Sequence, residues 1–316
     1  MECGENDNSR AQEKPDLRVR APRPDWLKVR LPAGERYARL RTLIRQQDLH
    51  TVCESARCPN IGECWGAGTA TFMILGDVCT RACKFCAVKT GRPPAYDLDE
   101  PRRIADAIRR MNLDYAVVTS VDRDDLADGG AFVFAETIRL TREASPAITI
   151  EVLIPDLRGD AQSLRRIVDA RPDVLAHNVE TVPRLYPLVR AGSRYRRSLQ
   201  LLGAVKAIHA AMLTKSSIML GLGEQADEVL ETMRDLRGAG VDILTLGQYL
   251  QPTREHLPVA RYYSPDEFRE LREAALVFGF SYVESGPLVR SSYHAEQQRA
   301  ILPGQASKSG TGESKI

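Results

Sequence analysis

The feature that most constrains the fold is a regular alternation of helix-period and strand-like segments between residues 71 and 246. The strand-like segments are short and almost continuously apolar, which is typical of parallel strands buried between helices. Six strands are too few for the closed eight-stranded barrel, so the sequence predicts an α/β fold with an open, partial (β/α)6 barrel. A doubly wound sheet is the alternative. The six predicted strands are 70–76, 115–119, 148–154, 174–176, 214–220 and 241–246.

Three cysteines follow the first strand within eight residues: Cys79, Cys83 and Cys86. The spacing Cys-x3-Cys-x2-Cys in a loop allows three thiolates to converge on one side. Thiolate-rich sites select iron–sulfur clusters or zinc. A closed structural site uses four ligands, so a trio leaves one coordination position free for chemistry. A zinc knuckle completed by a distant fourth ligand is the alternative.

A second trio precedes that strand: Cys53, Cys58 and Cys64, with Cys-x4-Cys-x5-Cys spacing. Pro59 and Gly62 interrupt regular structure, so the sequence predicts a loop whose thiols point inward. Six of the seven cysteines lie between residues 53 and 86, and no export signal is visible, which favours metal ligation over disulfides. Six thiolates cannot fill two closed sites that need four cysteines each. Two separate clusters with three cysteines each are therefore a simpler interpretation than zinc sites that share the six thiols.

Composition excludes several classes of function. The 44 basic and 42 acidic residues give a net charge of +2, so there is no electrostatic case for nucleic acid or a membrane surface. No apolar stretch approaches the length needed to span a bilayer. The polar, acid-bearing N-terminus resembles neither a secretory signal nor a mitochondrial presequence, so we expect a cytoplasmic protein. Cys3 is expected to be a bystander.

The 79–86 loop, with the aromatic Phe85 before its third cysteine, resembles the signature of the radical S-adenosylmethionine superfamily. Within that superfamily, the two trios in this order resemble the lipoyl synthases. The sequence segments 51–56, 58–60 and 70–76 match that family as well, and the resemblance extends over about residues 26–302.

The resemblance implies a sulfur-inserting transferase with two 4Fe–4S clusters and S-adenosylmethionine as co-substrate. The cluster of Cys79, Cys83 and Cys86 would reduce S-adenosylmethionine and generate a 5′-deoxyadenosyl radical. That radical would abstract hydrogen from C6 and C8 of an octanoyl chain on a lysine, and the auxiliary cluster of the other trio would be sacrificed as the sulfur donor. The implied partners are an octanoylated lipoyl carrier domain or H protein, a single-electron donor and an iron–sulfur repair carrier, with no nucleic acid and no membrane.

Candidate cofactor residues follow the predicted strands, where parallel α/β folds bind their ligands. Gly129 and Gly130 allow close backbone approach, and the resemblance places them at the glycine-rich element that meets the methionyl amine. Asn178 and Glu180 suit a polar ligand, and the resemblance places them in the cofactor pocket. Arg190 is either a partner for a carboxylate or an exposed arginine.

Two further groups of polar residues have a structural interpretation beside the functional one. Asp122, Asp124 and Asp125 are either a solvated cap before a helix that starts near Asp128 or part of the site. The five histidines form no spaced metal pair, which favours structural or solvated roles.

The last folded segment, 285–295, contains the word Arg290-Ser291-Ser292-Tyr293. From the residues alone it predicts a turn and a helix start capped by serine. The resemblance implies that one of these serines supplies an oxygen ligand to the auxiliary cluster, and we choose Ser292, although neighbouring serines cannot be separated by sequence. A hard oxygen is a poorer partner for a sulfide cluster than thiolate, so this ligand would be the labile one.

The sequence thus predicts five regions. Residues 26–69 form an N-terminal extension that carries the auxiliary cysteines, 70–280 the partial barrel, and 281–303 a segment that closes the auxiliary site. Residues 1–25 and 304–316 are expected to be flexible tails.

Two other functions remain open at this point. Another sulfur-inserting enzyme of the superfamily, such as a methylthiotransferase, would share the central loop but should carry a basic nucleic-acid-binding appendage. A zinc-binding interaction protein would share the thiols and bind neither sulfide nor S-adenosylmethionine.

Overall fold

The computed structural model describes residues 23–28, 34–47, 49–56 and 58–302, so Cys3 and the tail 304–316 lie outside the described residues, as does nearly all of the tail 1–25. Its strands are β1 His50–Thr51, β2 Thr69–Ile74, β3 Val78–Cys79, β4 Lys89–Thr90, β5 Tyr115–Ser120, β6 Thr149–Leu153, β7 Val174–Ala176, β8 Leu213–Leu220, β9 Ile243–Gln248 and β10 Tyr282–Gly286.

The helices cover the sheet and are connected to it in the predicted order. They are α1 Glu35–Gln46, α2 Val52–Ser55, α3 Ile61–Ala67, α4 Glu100–Met111, α5 Ala131–Ala144, α6 Ala161–Asp169, α7 Tyr186–Val189, α8 Tyr195–Ile208, α9 Ala226–Gly238 and α10 Pro265–Val277. Short 3-10 turns are Asp25–Leu27, Leu157–Gly159, Pro183–Leu185 and Ala295–Ile301. Among the described helices, none combines the length and the apolar character that a membrane span requires.

The main sheet has the strand order β1-β2-β5-β6-β7-β8-β9-β10. From β2 to β10 every neighbouring pair is parallel, and β1 is antiparallel to β2. The six predicted strands are therefore confirmed as β2 and β5 to β9, and the partial barrel is confirmed with them. The sequence missed β10, which continues the parallel sheet beyond residue 280 by pairing Tyr282 with Ile243.

The core explains why the strand prediction was successful. Every residue of β2, β7 and β9 is buried, which matches strands covered on both faces. Helix α4 presents Ile104, Ile108 and Met111 on one face, at the spacing of an amphipathic helix, and all three are buried. Helices thus cover a sheet whose strand ends are left to form a site.

The predicted loop of the second trio is wrong, because two short helices occupy most of it. Cys53 lies in α2, whose start is capped by Thr51, since the threonine side chain accepts a hydrogen bond from the Glu54 amide. Cys64 lies in α3, and Gly62 sits inside that helix instead of interrupting it. Cys58 lies in the connection between the two helices.

The segment after β10 runs from the C-terminal ends of the parallel strands back to their N-terminal ends. The 3-10 turn Ala295–Ile301 packs Ala295 against Tyr115, at the start of β5. Leu302 packs against Val174 and Ile243, the first residues of β7 and β9. The predicted serine cap is wrong: this turn begins after His294, which makes no side-chain capping bond.

The return of this segment depends on Gly247 in β9. A Cβ atom there would lie 2.1 Å from the carbonyl oxygen of Val289 and 3.0 Å from its carbon. Both are backbone atoms, so the contact cannot be relieved by a side-chain rotation. We expect Gly247→Ala to lower the free energy of unfolding by about 1–3 kcal/mol, the usual cost of overpacking. Denaturant unfolding of the apoprotein measures this.

Gly238→Ala is the matched control, because a Cβ atom at Gly238 meets nothing within 4 Å and the residue closes a helix. It should leave the stability unchanged or raise it slightly. Equal stabilities of the two variants would contradict the close approach of the returning segment.

Candidate active site

The 79–86 loop is attached to three different elements past the C-terminal ends of the strands. The Thr80 amide and hydroxyl both donate to the carbonyl of Asp122, at 3.0 and 2.9 Å. The Lys84 amide donates to the Val189 carbonyl at the end of α7, and the Lys84 carbonyl accepts from Leu257. Backbone bonds therefore fix the position of the loop at the ligand-binding edge of the barrel.

Arg81 holds the interior of this loop. Its guanidinium makes a bidentate bond to Asp124, with both distances 2.7 Å, and a third bond of 2.7 Å to Asp156. A fourth contact, of 3.4 Å, joins it to Asp122. Burial alone would raise the pKa of Asp156, but the bonds from Arg81 outweigh it and lower that pKa to about 2. Asp122 and Asp124 are thus ion-pair partners of the loop and not a solvated cap.

The three thiols of the loop are close enough to affect one another. Burial first, and the neighbouring thiols in addition, raise the pKa of Cys83 to about 12. Burial first, and the neighbouring Cys79 in addition, raise the pKa of Cys86 to about 11. The Cys79 sulfur accepts amide hydrogens from Arg81 and Asp122, at 3.4 and 3.3 Å. These amides are oriented to stabilise negative charge on a thiolate.

A polar pocket adjoins the same thiols. Arg190 donates to the Asn178 carbonyl at 2.7 Å and to the Tyr186 hydroxyl at 3.0 Å, and Asn178 donates to Glu180 at 3.1 Å. The charge of Arg190 lowers the pKa of Cys83, although burial dominates there. The exposed interpretation of Arg190 is wrong, because the residue is buried.

The pocket atoms Asn178 Oδ1 and Arg190 Nε are buried without a hydrogen-bond partner among the described residues. Glu180 also adopts a left-handed conformation, with φ of 67°, which is costly for a residue with a side chain and is found at functional sites. Donors, acceptors and a carboxylate at one place match a ligand that carries an amine, a carboxylate and hydroxyls, as S-adenosylmethionine does.

Gly129 and Gly130 lie before α5 with φ of 60° and 88°. A Cβ atom on Gly130 would lie 2.2 Å from a methyl group of Leu75, and one on Gly129 would lie 3.1 Å from a methyl group of Leu157. Local conformation and packing therefore explain both glycines without a ligand. Their contact with the cofactor stays a prediction.

The second trio lies beside β2, where Cys53 is next to Thr71. Burial first, and the neighbouring Cys58 in addition, raise the pKa of Cys53 to about 11. The pKa of Cys64 is also raised, first by burial and then by Cys58 and Cys53. Asn60 donates to the Leu288 carbonyl at 2.7 Å, so the connection between α2 and α3 is bound to the segment that returns from β10.

Thr71 of β2 connects Ser292 to this trio. Its hydroxyl donates to the Ser292 hydroxyl at 2.9 Å. Thr71 also lies beside the Cys53 thiol, where it lowers a pKa that burial raises. Tyr293 and His294 both bond to Glu63 of α3, at 3.0 and 3.1 Å. The returning segment therefore brings Ser292, chosen from sequence, to the side of Cys53.

Among the described residues, no group of three His, Cys, Asp or Glu side chains is arranged to hold a single metal ion. The donor sets nevertheless suit iron–sulfur clusters, because each comprises three mutually close thiols that are at least partly buried, with a serine hydroxyl near the second set.

Sequence reasoning missed three residues that organise the site: Arg81, Asp156 and Thr71. Arg81 lies inside the cysteine motif, and Asp156 lies three residues past β6. Both positions are signals by which these two residues could have been identified. Thr71 lies within a buried strand and carries no such signal. His256 also contributes, through a 2.9 Å bond to the Cys86 carbonyl, while His177 is bonded to Ile154 and has a structural role.

The fold and the 79–86 loop define a radical S-adenosylmethionine enzyme, and the model of the Radical SAM superfamily matches residues 73–236. A second model, the N-terminal domain of lipoyl synthases, matches residues 2–58. The chain belongs to the lipoyl synthase family. The cofactors of that family are S-adenosylmethionine and two 4Fe–4S clusters.

Relatives named lipoyl synthase support this assignment over most of the chain. The protein of Rubrobacter xylanophilus is 59% identical over 89% of this chain and 88% of its own length. That of Bacillus subtilis is 57% identical over 87% of this chain and 93% of its own length.

Solved structures show the fold alone. Methylornithine synthase matches with a TM-score of 0.53 and 15% identity, over 89% of this chain and 88% of its own. Coproporphyrinogen III oxidase from Escherichia coli, described as a radical SAM enzyme, matches with a TM-score of 0.50 and 13% identity, over 78% of this chain and 57% of its own.

Proposed function

We propose that this protein inserts sulfur at C6 and C8 of an octanoyl chain attached to a lysine of a lipoyl carrier protein. The observation that carries the proposal is the presence of two separate thiol trios in one chain, the second of which lies beside Thr71, the hydrogen-bond partner of Ser292. One cluster with an open iron can activate a cofactor. The other, with a weakly bound oxygen ligand, can be dismantled to supply sulfur.

In this proposal Cys79, Cys83 and Cys86 hold the radical cluster, which when bound supplies the electron that cleaves S-adenosylmethionine. Arg190 binds the carboxylate of the cofactor, supported by its buried, unpartnered Nε. Asn178 and Glu180 offer acceptor oxygens to its amine and hydroxyls, supported by the unpartnered Asn178 Oδ1. Gly129 and Gly130 contribute backbone to the same pocket.

The auxiliary cluster is held by Cys53, Cys58, Cys64 and Ser292. Burial of these thiols keeps water away from a cluster that must survive until the substrate radical forms. The hydroxyl of Thr71 donates to Ser292 and orients it, and a serine oxygen is a weaker ligand of a sulfide cluster than a cysteine thiolate.

The substrate is presented by an octanoylated lipoyl carrier domain or an H protein that docks transiently. A single-electron donor reduces the radical cluster, and an iron–sulfur carrier restores the auxiliary cluster between turnovers. The net charge of +2 offers no long-range steering, so docking depends on local contacts.

The test uses anaerobically purified protein, a chemical reductant, S-adenosylmethionine and a peptide that carries an octanoylated lysine. Mass spectrometry should show two sulfur atoms in place of two hydrogens, with 5′-deoxyadenosine and methionine formed twice per product. Cofactor cleavage without any sulfur-containing product would contradict the proposed reaction. Transfer of a methylthio group to RNA would favour the methylthiotransferase alternative.

Thr71→Val tests the orientation of Ser292. The change keeps the volume and removes the hydroxyl that bonds Ser292, so lipoyl formation should fall about tenfold, the effect of one hydrogen bond of about 1.4 kcal/mol. Cofactor cleavage should be unchanged. Thr137→Val is the control, because Thr137 is also buried but bonds only within α5. Equal activities of the two variants would contradict the role of Thr71.

A further inference from the structure

The segment that carries Ser292 is anchored beyond it by a buried polar network. Gln298, in the 3-10 turn Ala295–Ile301, is completely buried, and its Oε1 accepts a hydrogen bond of 3.1 Å from Lys215 Nζ. Lys215 lies in β8 and is also fully buried. The bond joins two residues that are 83 positions apart in the chain.

Lys215 is held in place by β6 and β5. Its Nζ lies 2.9 and 3.0 Å from the two carboxylate oxygens of Glu151, and the Tyr115 hydroxyl donates to Glu151 at 2.7 Å. An ammonium group has three donors, and these contacts use all of them on Glu151 and Gln298. The contacts with Glu151 therefore orient the Lys215 side chain independently of Gln298.

A buried ion pair adds little to stability in comparison with apolar residues of the same volume, and its best-attested use is to fix register. The register fixed here is that of the returning segment. The neighbouring contacts agree with this interpretation, because Ala295 packs on Tyr115 and Glu296 accepts a 2.8 Å bond from Thr69. Gln298 is only six residues from Ser292.

We propose that the hydrogen bond from Lys215 to Gln298 positions Ser292 at the auxiliary cluster. Gln298 and Lys215 are then positioning residues for the sulfur donor, although neither touches it. With residues 295–302 anchored, release of the serine needs movement only in the few residues before them. This inference rests on the proposed ligand role of Ser292.

The test is the rate at which a ferrous-iron chelator removes iron from the reconstituted full-length protein. Gln298→Met keeps the length of the side chain and removes the acceptor. Two four-iron clusters hold about eight iron atoms. We expect the chelator to remove about four of them about tenfold faster from Gln298→Met than from the parent protein, which corresponds to the loss of one charge-assisted hydrogen bond. S-adenosylmethionine cleavage, which reports the radical cluster, should be unchanged.

Gln297→Met is the matched control, since Gln297 lies in the same turn but is exposed. It should behave as the parent. If Gln298→Met does not fold, the double change Glu151→Leu with Lys215→Met removes the buried pair without leaving one charge alone, and it should accelerate iron loss in the same way.

Ser292→Ala, measured in parallel, separates this inference from the proposed function. Faster iron loss in Ser292→Ala but not in Gln298→Met would overturn the anchor and leave the ligand set in place. No change in Ser292→Ala would overturn the ligand set and the anchor together. Equal acceleration for both clusters, with a lower melting temperature, would show a general structural role and would also overturn the anchor.

Discussion

A Cys58→Ala variant is expected to form no lipoyl product while it continues to cleave S-adenosylmethionine. Cys58 belongs to the trio next to Thr71 and Ser292, whereas the cofactor pocket adjoins Cys83 and Cys86. Loss of one of three thiolate ligands should abolish the auxiliary cluster and with it the sulfur source. The measurement is 5′-deoxyadenosine and lipoyl peptide from the same reaction, after anaerobic reconstitution.

Cys3→Ala is the control for Cys58→Ala, because Cys3 belongs to neither cysteine motif. It should give both products at the parental level. Loss of both products in a well-folded Cys58→Ala protein would contradict the division of roles between the two trios.

An Arg81→Met variant is expected to lose S-adenosylmethionine cleavage almost completely. The Arg81 side chain is only 4% exposed, and its removal leaves the buried Asp156 with one remaining arginine, Arg197, at 3.2 Å. Breaking a buried ion pair in this way costs about 3–5 kcal/mol. Because Arg81 lies between Cys79 and Cys83, this cost should fall on the cluster loop. The expected decrease in cleavage rate is at least about 100-fold.

Arg139→Met provides the comparison on the surface. Arg139 is half exposed and pairs with Glu136 and Glu143 on the same helix, an arrangement that contributes little to stability. The Arg139→Met variant should cleave S-adenosylmethionine at the rate of the parent protein. A well-folded Arg81→Met protein with parental cleavage and parental iron content would show that the loop does not depend on this clamp.

The parallel strands could be predicted because strands that are buried on both faces have almost continuously apolar sequences. Strand β10 could not, because Glu284 and Ser285 interrupt its apolar character and its residues are only partly covered. Helices α2 and α3 were missed for a related reason. Pro59 and Gly62 suggested a loop, but Pro59 lies between the two helices and Gly62 is tolerated inside the second.

The grouping of the cysteines into two trios could be predicted because spacing along a short segment of sequence is a local property. The contacts that hold them are not local. Arg81 and Asp156 are 75 residues apart, and Thr71 and Ser292 are 221 residues apart, so no spacing in the sequence indicates either pair. Arg190 illustrates the same limit, since only the folded chain shows that its guanidinium is buried beside Asn178 and Tyr186.

We infer that the two trios hold two distinct iron–sulfur clusters. The most direct test is the amount of iron, acid-labile sulfide and zinc per chain in protein purified without oxygen. We predict about eight iron and about eight sulfide, the sum for two four-iron clusters. About four of each would contradict the two-cluster arrangement, and zinc without sulfide would contradict the enzyme itself.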